Sequence, residues 1–137
     1  GLRALRRILA YWLPVFLWAG VIFLFSSQSS LPHSQDNLLD VIMGKTAHFL
    51  EFGILAGLIL RAFRSAGSLT PKLLLYSWTL AVLYAVSDEV HQSMVPQRTP
   101  SPLDVGIDSI GVVFGLAATW VAGRRSWAFV ARLRVRG

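Results

Sequence analysis

VGIDSIGVVFGLAATWV, residues 105–121, is apolar from end to end apart from one aspartate, Asp108. A run this long, with its flanks, approaches the roughly 20 residues that carry a helix across about 30 Å of hydrocarbon. Working outward from it, three more such runs appear. Ile8 to Phe25 holds no charge at all, Thr46 to Phe63 is broken only by His48, Glu51 and Arg61, and Leu73 to Ser87 is uncharged. The spacing predicts an all-α, polytopic membrane protein, a bundle of four spans at about 8–27, 45–64, 72–90 and 104–123. These fill most of the 137 residues and leave one domain over 1–137, with no room for a soluble one. The chain is 54% hydrophobic and only 15% charged, and it contains no cysteine, which removes disulfide and thiolate chemistry.

Basic residues alternate between loops. Arg3, Arg6 and Arg7 precede the first span, Arg61, Arg64 and Lys72 surround the link between the second and third, and Arg124, Arg125, Arg132, Arg134 and Arg136 follow the fourth. Of the 13 Lys and Arg, only Lys45 and Arg98 fall on the other side. By the positive-inside rule both termini are cytoplasmic. Topology therefore accounts for the net charge of +6 better than nucleic-acid binding does, and no nucleic-acid partner is expected. The acids Asp36, Asp40, Glu51, Asp88, Glu89, Asp104 and Asp108 all fall in the opposite loops or the helix ends facing them, so any chemistry is expected at the outer face. The Arg-rich, then apolar N-terminus imitates a signal peptide, with SSQSS (26–30) offering small residues for cleavage. Its uncharged core is long for a signal and reads as an uncleaved anchor. The basic tail 124–137, with Trp127, Phe129, Val130 and Leu133 among its arginines, reads as a short interfacial helix on the cytoplasmic lipid surface.

Lipid gives helices no hydrophobic drive to associate, so small residues mark their interfaces. Gly53 and Gly57 form such a pair in the second span, and Ser77, Ala81 and Ala85 form a row in the third. Asp104, Asp108, Gly111 and Gly115 recur at helical spacing and define one stripe of the fourth. The glycines are expected to face a partner helix and the acids to point into the bundle.

The polar residues among the spans are costly there, at roughly 2.5–3.5 kcal/mol per charge on insertion scales. His48 lies three residues before Glu51; Asp88 and His91 repeat that spacing, as do Glu89 and Gln92, and Asp104 and Asp108 are one turn apart. Three helices thus bring His and carboxylate groups to one depth, and Arg98 sits in a loop stiffened by Pro96, Pro100 and Pro102. The candidate catalytic residues are His48, Glu51, Asp88, Glu89, His91, Asp104 and Asp108; Lys45, Gln92, Arg98 and Ser101 are candidates for binding substrate. Three readings stay open. The set is a structural polar network, or a divalent-metal site for zinc or manganese, although no HExxH or other dedicated ligand spacing is present, or an acid–base and headgroup-recognition site without metal or other cofactor. In the last, a histidine exchanges a proton and Arg98 clamps a phosphate or carboxylate. His33, Asp36 and Asp40 read as solvated loop groups, and Asp104 as a cap of the fourth span.

KTAHFLEFGILAGLI (45–59) followed by YAVSDEVHQSMVPQRTPSPLDVGIDSIGVVFG (84–115) resembles the VanZ-like family of small bacterial membrane proteins, and FLFSSQSSLP (23–32) also fits it. The matching positions are Lys45 and His48, then Asp88, Glu89, His91, Gln92, Pro96, Arg98, Ser101, Asp104, Asp108 and Gly111. Gln97 stands where glycine is usual before the arginine, and Asp108 where asparagine is common. The resemblance implies a multi-pass protein of the bacterial cytoplasmic membrane and a link to low-level resistance to teicoplanin, a glycopeptide antibiotic with an acyl chain. The expected partner is a membrane lipid or other amphiphile at the outer leaflet, met either by an enzyme that modifies its headgroup or by a non-catalytic binder. A transporter is the weakest reading, since no pair of broken helices marks a pathway. The bundle is read as one chain, with oligomeric state left open.

Overall fold

The computed structural model describes residues 1–28, 38–98 and 100–135, with side chains as far as residue 125. It consists of four helices, α1 (Leu2–Ser26), α2 (Leu38–Arg64), α3 (Pro71–Ser93) and α4 (Pro102–Val135). Among the described residues there is no strand. All four helices are long and apolar enough to cross a membrane, α4 through its Pro102–Arg125 part. His33 and Asp36 lie outside the described residues, as do the side chains of Trp127, Phe129, Val130 and Leu133.

The helix boundaries follow from local chemistry. α3 opens on Pro71, whose missing N–H costs nothing in a first turn, after Thr70 in an extended conformation with φ −122° and ψ 156°. α4 likewise opens on a proline, Pro102. Pro14 lies inside α1, which continues through it. Two boundaries differ from the sequence expectation. α2 begins well before residue 45 and takes in Asp40, so that acid belongs to a helix rather than a loop. The fourth helix is also longer than the expected span: its backbone continues unbroken from Pro102 to Val135, 34 residues, and takes in the start of the basic tail. At 1.5 Å per residue this is about 51 Å, more than the ~30 Å hydrocarbon core, so the last turns of α4 extend beyond that core. Nothing in residues 124–135 breaks a helix, because Arg, Ala, Leu and Trp all sustain one.

α2 is the centre of the bundle: it packs against each of the other three, most extensively against α4, whereas among the described residues the backbones of α1 and α4 do not approach each other closely. The α2–α4 seam rests on glycine. A Cβ at Gly53 would lie 2.9 Å from the Gly111 carbonyl oxygen, one at Gly115 would collide with the Gly53 carbonyl, and one at Gly111 with the Phe49 carbonyl. On α3, Ser77, Ala81 and Ala85 are fully buried at 0% exposure, so the expected row of small residues is an interface. Ser77 satisfies its hydroxyl on the Leu73 carbonyl at 2.7 Å. In mid-span α1 is tied to its neighbours by Trp18 Nε1 donating to the Glu51 carbonyl at 2.8 Å and by Tyr84 Oη donating to the Ala19 carbonyl at 2.6 Å. Phe16, Leu17, Leu83 and Phe114 point outward and are exposed, as the lipid-facing surface of a membrane bundle requires.

The two ends differ in charge. The Arg61 guanidinium lies 4.6 Å from the centre of the Tyr11 ring, which brings the start of α1 to the end of α2. Lys45, His48, Asp104 and Asp108 gather at the other end.

Gly115→Ala is expected to lower stability by about 1–3 kcal/mol, because the backbone of α2 leaves no room for a methyl group. Gly106→Ala, on the same helix with nothing within 4 Å of its Cβ position, is expected to be neutral or stabilising. Thermal unfolding in detergent followed by tryptophan fluorescence compares the two.

Candidate functional site

The polar end is built on two crosslinks between α2 and α4. Lys45 pairs with Asp104 in the first turn of α4, where the helix N-terminus itself favours a carboxylate. One turn deeper, His48 Nδ1 donates to Asp108 Oδ1 at 3.1 Å, with Asp108 buried to 2% exposure. The glycine seam continues directly below. Asp104 is not the side-chain cap of α4: Ser101 Oγ accepts the Leu103 N–H at 3.2 Å and does that work. Ser101 is fixed from α3 as well, its N–H donating to Glu89 Oε1 at 2.9 Å.

On α3, Asp88 and Gln92 are buried together, Gln92 Nε2 donating to Asp88 Oδ2 at 2.9 Å. The partner of Gln92 is therefore the acid four residues back rather than Glu89. His91 turns away from the other acids toward α1, where its ring stacks on Phe23 at 4.6 Å and its Nε2 shares a 2.9 Å hydrogen bond with Ser27 Oγ.

Arg98 is aimed by a turn. Its N–H donates to the Val95 carbonyl at 3.3 Å, and Gln97 just before it has φ 65°, the one non-glycine residue at positive φ among those described. A side chain at that φ costs energy that glycine does not. Glycine would adopt this conformation without that cost. The turn carries the guanidinium back over the end of α1, with Nη2 donating to the Phe25 carbonyl at 3.4 Å.

These elements enclose a cavity of about 180 Å³ between α1, α2, α3 and the Arg98 loop, with Ser26, His48, Glu51, Asp88, Gln92 and Arg98 as its polar lining. Of the eleven residues proposed from sequence, five line this cavity: His48, Glu51, Asp88, Gln92 and Arg98. Asp108 stands behind His48. Lys45, Glu89, Asp104 and Ser101 clamp the surrounding helices, and His91 braces α1. His48 and Asp108 form a hydrogen-bonded dyad; among the described residues no three His, Asp or Glu side chains gather as metal ligands. With Nδ1 donating to the carboxylate, the lone pair of the neutral ring is at Nε2. Among the described residues two buried side-chain atoms, Ser26 Oγ and Arg98 Nε, have no hydrogen-bond partner, and both residues line the cavity. Such groups cost about 1–3 kcal/mol each, a cost that a ligand supplying the bonds would remove. Ser26 was missed in the sequence because a serine at the end of an apolar run reads as loop.

Four apolar helices carrying a His–carboxylate–Arg constellation at one end define a multi-pass membrane protein with a small polar cavity. The chain belongs to the VanZ/LLP1 family, which it matches over residues 11–123. No curated protein and no solved structure matches it.

Gln97→Gly is expected to raise stability by about 0.5–1 kcal/mol by relieving the positive-φ turn, whereas Gln97→Val, β-branched, is expected to lower it. Midpoints of thermal unfolding in the same detergent give both signs.

Proposed function

We propose that this VanZ-family protein lies in a bacterial cytoplasmic membrane with both termini inside and uses the polar cavity on the headgroup of an amphiphile at the outer leaflet. The amphiphile is an envelope lipid, a lipid-linked cell-wall intermediate or a lipoglycopeptide, and glycopeptide tolerance follows from that activity. The observation that carries the reading is the pair of partnerless buried atoms, Ser26 Oγ and Arg98 Nε, in a cavity shared by a histidine and two acids. Arg98 supplies a planar donor set for a phosphate or carboxylate. Glu51 and Asp88 accept from hydroxyl or ammonium groups. His48, oriented by Asp108, exchanges a proton at Nε2 with a hydroxyl or water of the headgroup.

A second reading is a binder without turnover, favoured by how completely the surrounding charges are already matched: Lys45 with Asp104, His48 with Asp108, and Glu89 with the Ser101 N–H. Mass spectrometry of envelope lipids and lipid-linked precursors distinguishes the two, comparing cells that make the intact protein with cells that make His48→Ala or Arg98→Ala at matched membrane levels. The catalytic reading expects a species whose mass changes only with the intact protein, its formation falling at least about a hundredfold in His48→Ala. Full formation in both variants would overturn it. Unchanged masses with glycopeptide tolerance lost in both variants would establish the binder.

The orientation has its own check, since the chain has no cysteine. A membrane-impermeant maleimide added to intact spheroplasts is expected to label Gln28→Cys and to leave Gly67→Cys unlabelled until the membrane is opened. The reverse pattern would place the polar end in the cytoplasm.

A further inference from the structure

A cavity larger than the polar one lies elsewhere among the described residues. It measures about 830 Å³ and lies on the other side of α2, between α1 and α4. Such a volume falls among those that hold ligands, roughly 300–1,000 Å³. Its floor is the glycine seam, Gly53, Gly57, Gly111 and Gly115, which has no side chains to fill it. At the end toward the polar site Phe49 and Phe114 flank it, ring centres 5.4 Å apart. At the opposite end it reaches Arg7, Arg61 and Arg64. A second cavity of about 570 Å³ shares Arg7, Arg64 and Gly123 with the first and adds Arg124.

We propose that this groove binds an anionic glycerophospholipid of the surrounding membrane, its acyl chain lying on the glycine floor and its phosphate held among Arg7, Arg64 and Arg124. Charge complementarity selects the headgroup. The described acids, Asp40, Glu51, Asp88, Glu89, Asp104 and Asp108, all lie before residue 52 on α2 or in the segment 88–108, so among the described residues no carboxylate is at hand to neutralise these guanidiniums. Arg61 already sits over the Tyr11 ring; Arg7, Arg64 and Arg124 make no ion pair among the described residues. Arg64 is laid across Gly123, where a Cβ would collide with its guanidinium, so its head is turned into the space the two cavities share. Basic pockets between spanning helices are a recurrent way of holding anionic headgroups.

Length selects the chain. From Phe49 to Arg61 the floor runs twelve residues of α2, about 18 Å, close to the half-thickness of a ~30 Å hydrocarbon core. A second copy of the protein in the same orientation would bring arginines to this depth and no acid, and a free phosphate would leave the apolar length unfilled. An amphiphile satisfies both ends of the groove.

The test is native mass spectrometry of the full chain, purified in detergent and exposed to equimolar phosphatidylglycerol and phosphatidylcholine with identical acyl chains. One phosphatidylglycerol is expected to stay bound in clear preference to phosphatidylcholine. The preference should fall roughly fivefold for each arginine removed in Arg7→Gln and Arg64→Gln. Ala118→Phe, placing a ring into the groove from an exposed position, should reduce retention of both lipids. Equal retention of the two lipids by the unaltered protein would overturn the proposal without reliance on any variant, as would an undiminished preference in the double arginine variant or lipid-free dimers. No groove residue lines the polar cavity, so failure here leaves the reading of that cavity standing.

Discussion

The close approach of α2 to α4 is the constraint on which the rest of the structure depends. The two helices run in the same direction through the membrane, and their contacts advance together along both chains: Lys45 meets Asp104, His48 meets Asp108, Gly53 meets Gly111 and Gly115, and Gly57 meets Thr119. Glycine permits this because in lipid the association energy comes from packing, which strengthens as backbones approach. The same approach puts short aspartate side chains within reach of Lys45 and His48. Were the axes held farther apart by alanine-sized residues, the carboxylates would sit in a low-dielectric interior without partners, the most costly arrangement for a charge.

The polar cluster is thus two kinds of structure in one place. Its rim consists of matched pairs that fasten α2, α3 and α4 together and fix the start of α4 through Ser101. Its interior consists of groups that are not fully matched. A rim of satisfied pairs explains why the interior can be held open, since the helices need no contribution from Arg98 or Ser26 to stay together. Arg98 reaches the interior only because Gln97 accepts a backbone conformation that side chains disfavour, and strain of this kind persists where the surrounding structure over-determines it.

The spans were legible because hydropathy and small-residue spacing are properties of one helix at a time. Gly111 and Gly115 announce a close contact whatever the partner is. Which polar residue faces which was less legible, because that depends on the rotation of each helix about its axis. Asp88–His91 and His48–Glu51 have the same spacing in sequence, yet His48 lines the cavity while the His91 ring lies on Phe23 of α1. Asp104 and Ser101 both suit a helix start, and only the claim of Lys45 on the aspartate leaves the cap to serine. The length of α4 was hidden for a different reason: its terminal turns mix arginine with apolar residues, a pattern shared by a surface helix and by the protruding end of a long one.

α1 then acquires a role that its sequence, the most uniformly apolar of the four, does not advertise. It leans on α2 and α3 through the Trp18 and Tyr84 hydrogen bonds to backbone carbonyls, and its backbone stays clear of that of α4. That placement brings Ile22, Phe25 and Ser26 over one side of α2, where they complete the polar cavity. It leaves the other side of α2 uncovered, where the glycine floor meets the lipid. A helix shifted toward α4 would close the groove and withdraw Ser26 from Arg98 together. The two cavities are consequences of a single choice of position, in which side-chain donors from α1 itself, from α3 and from the Arg98 loop take part, since hydrophobic matching in a bilayer would favour neither arrangement.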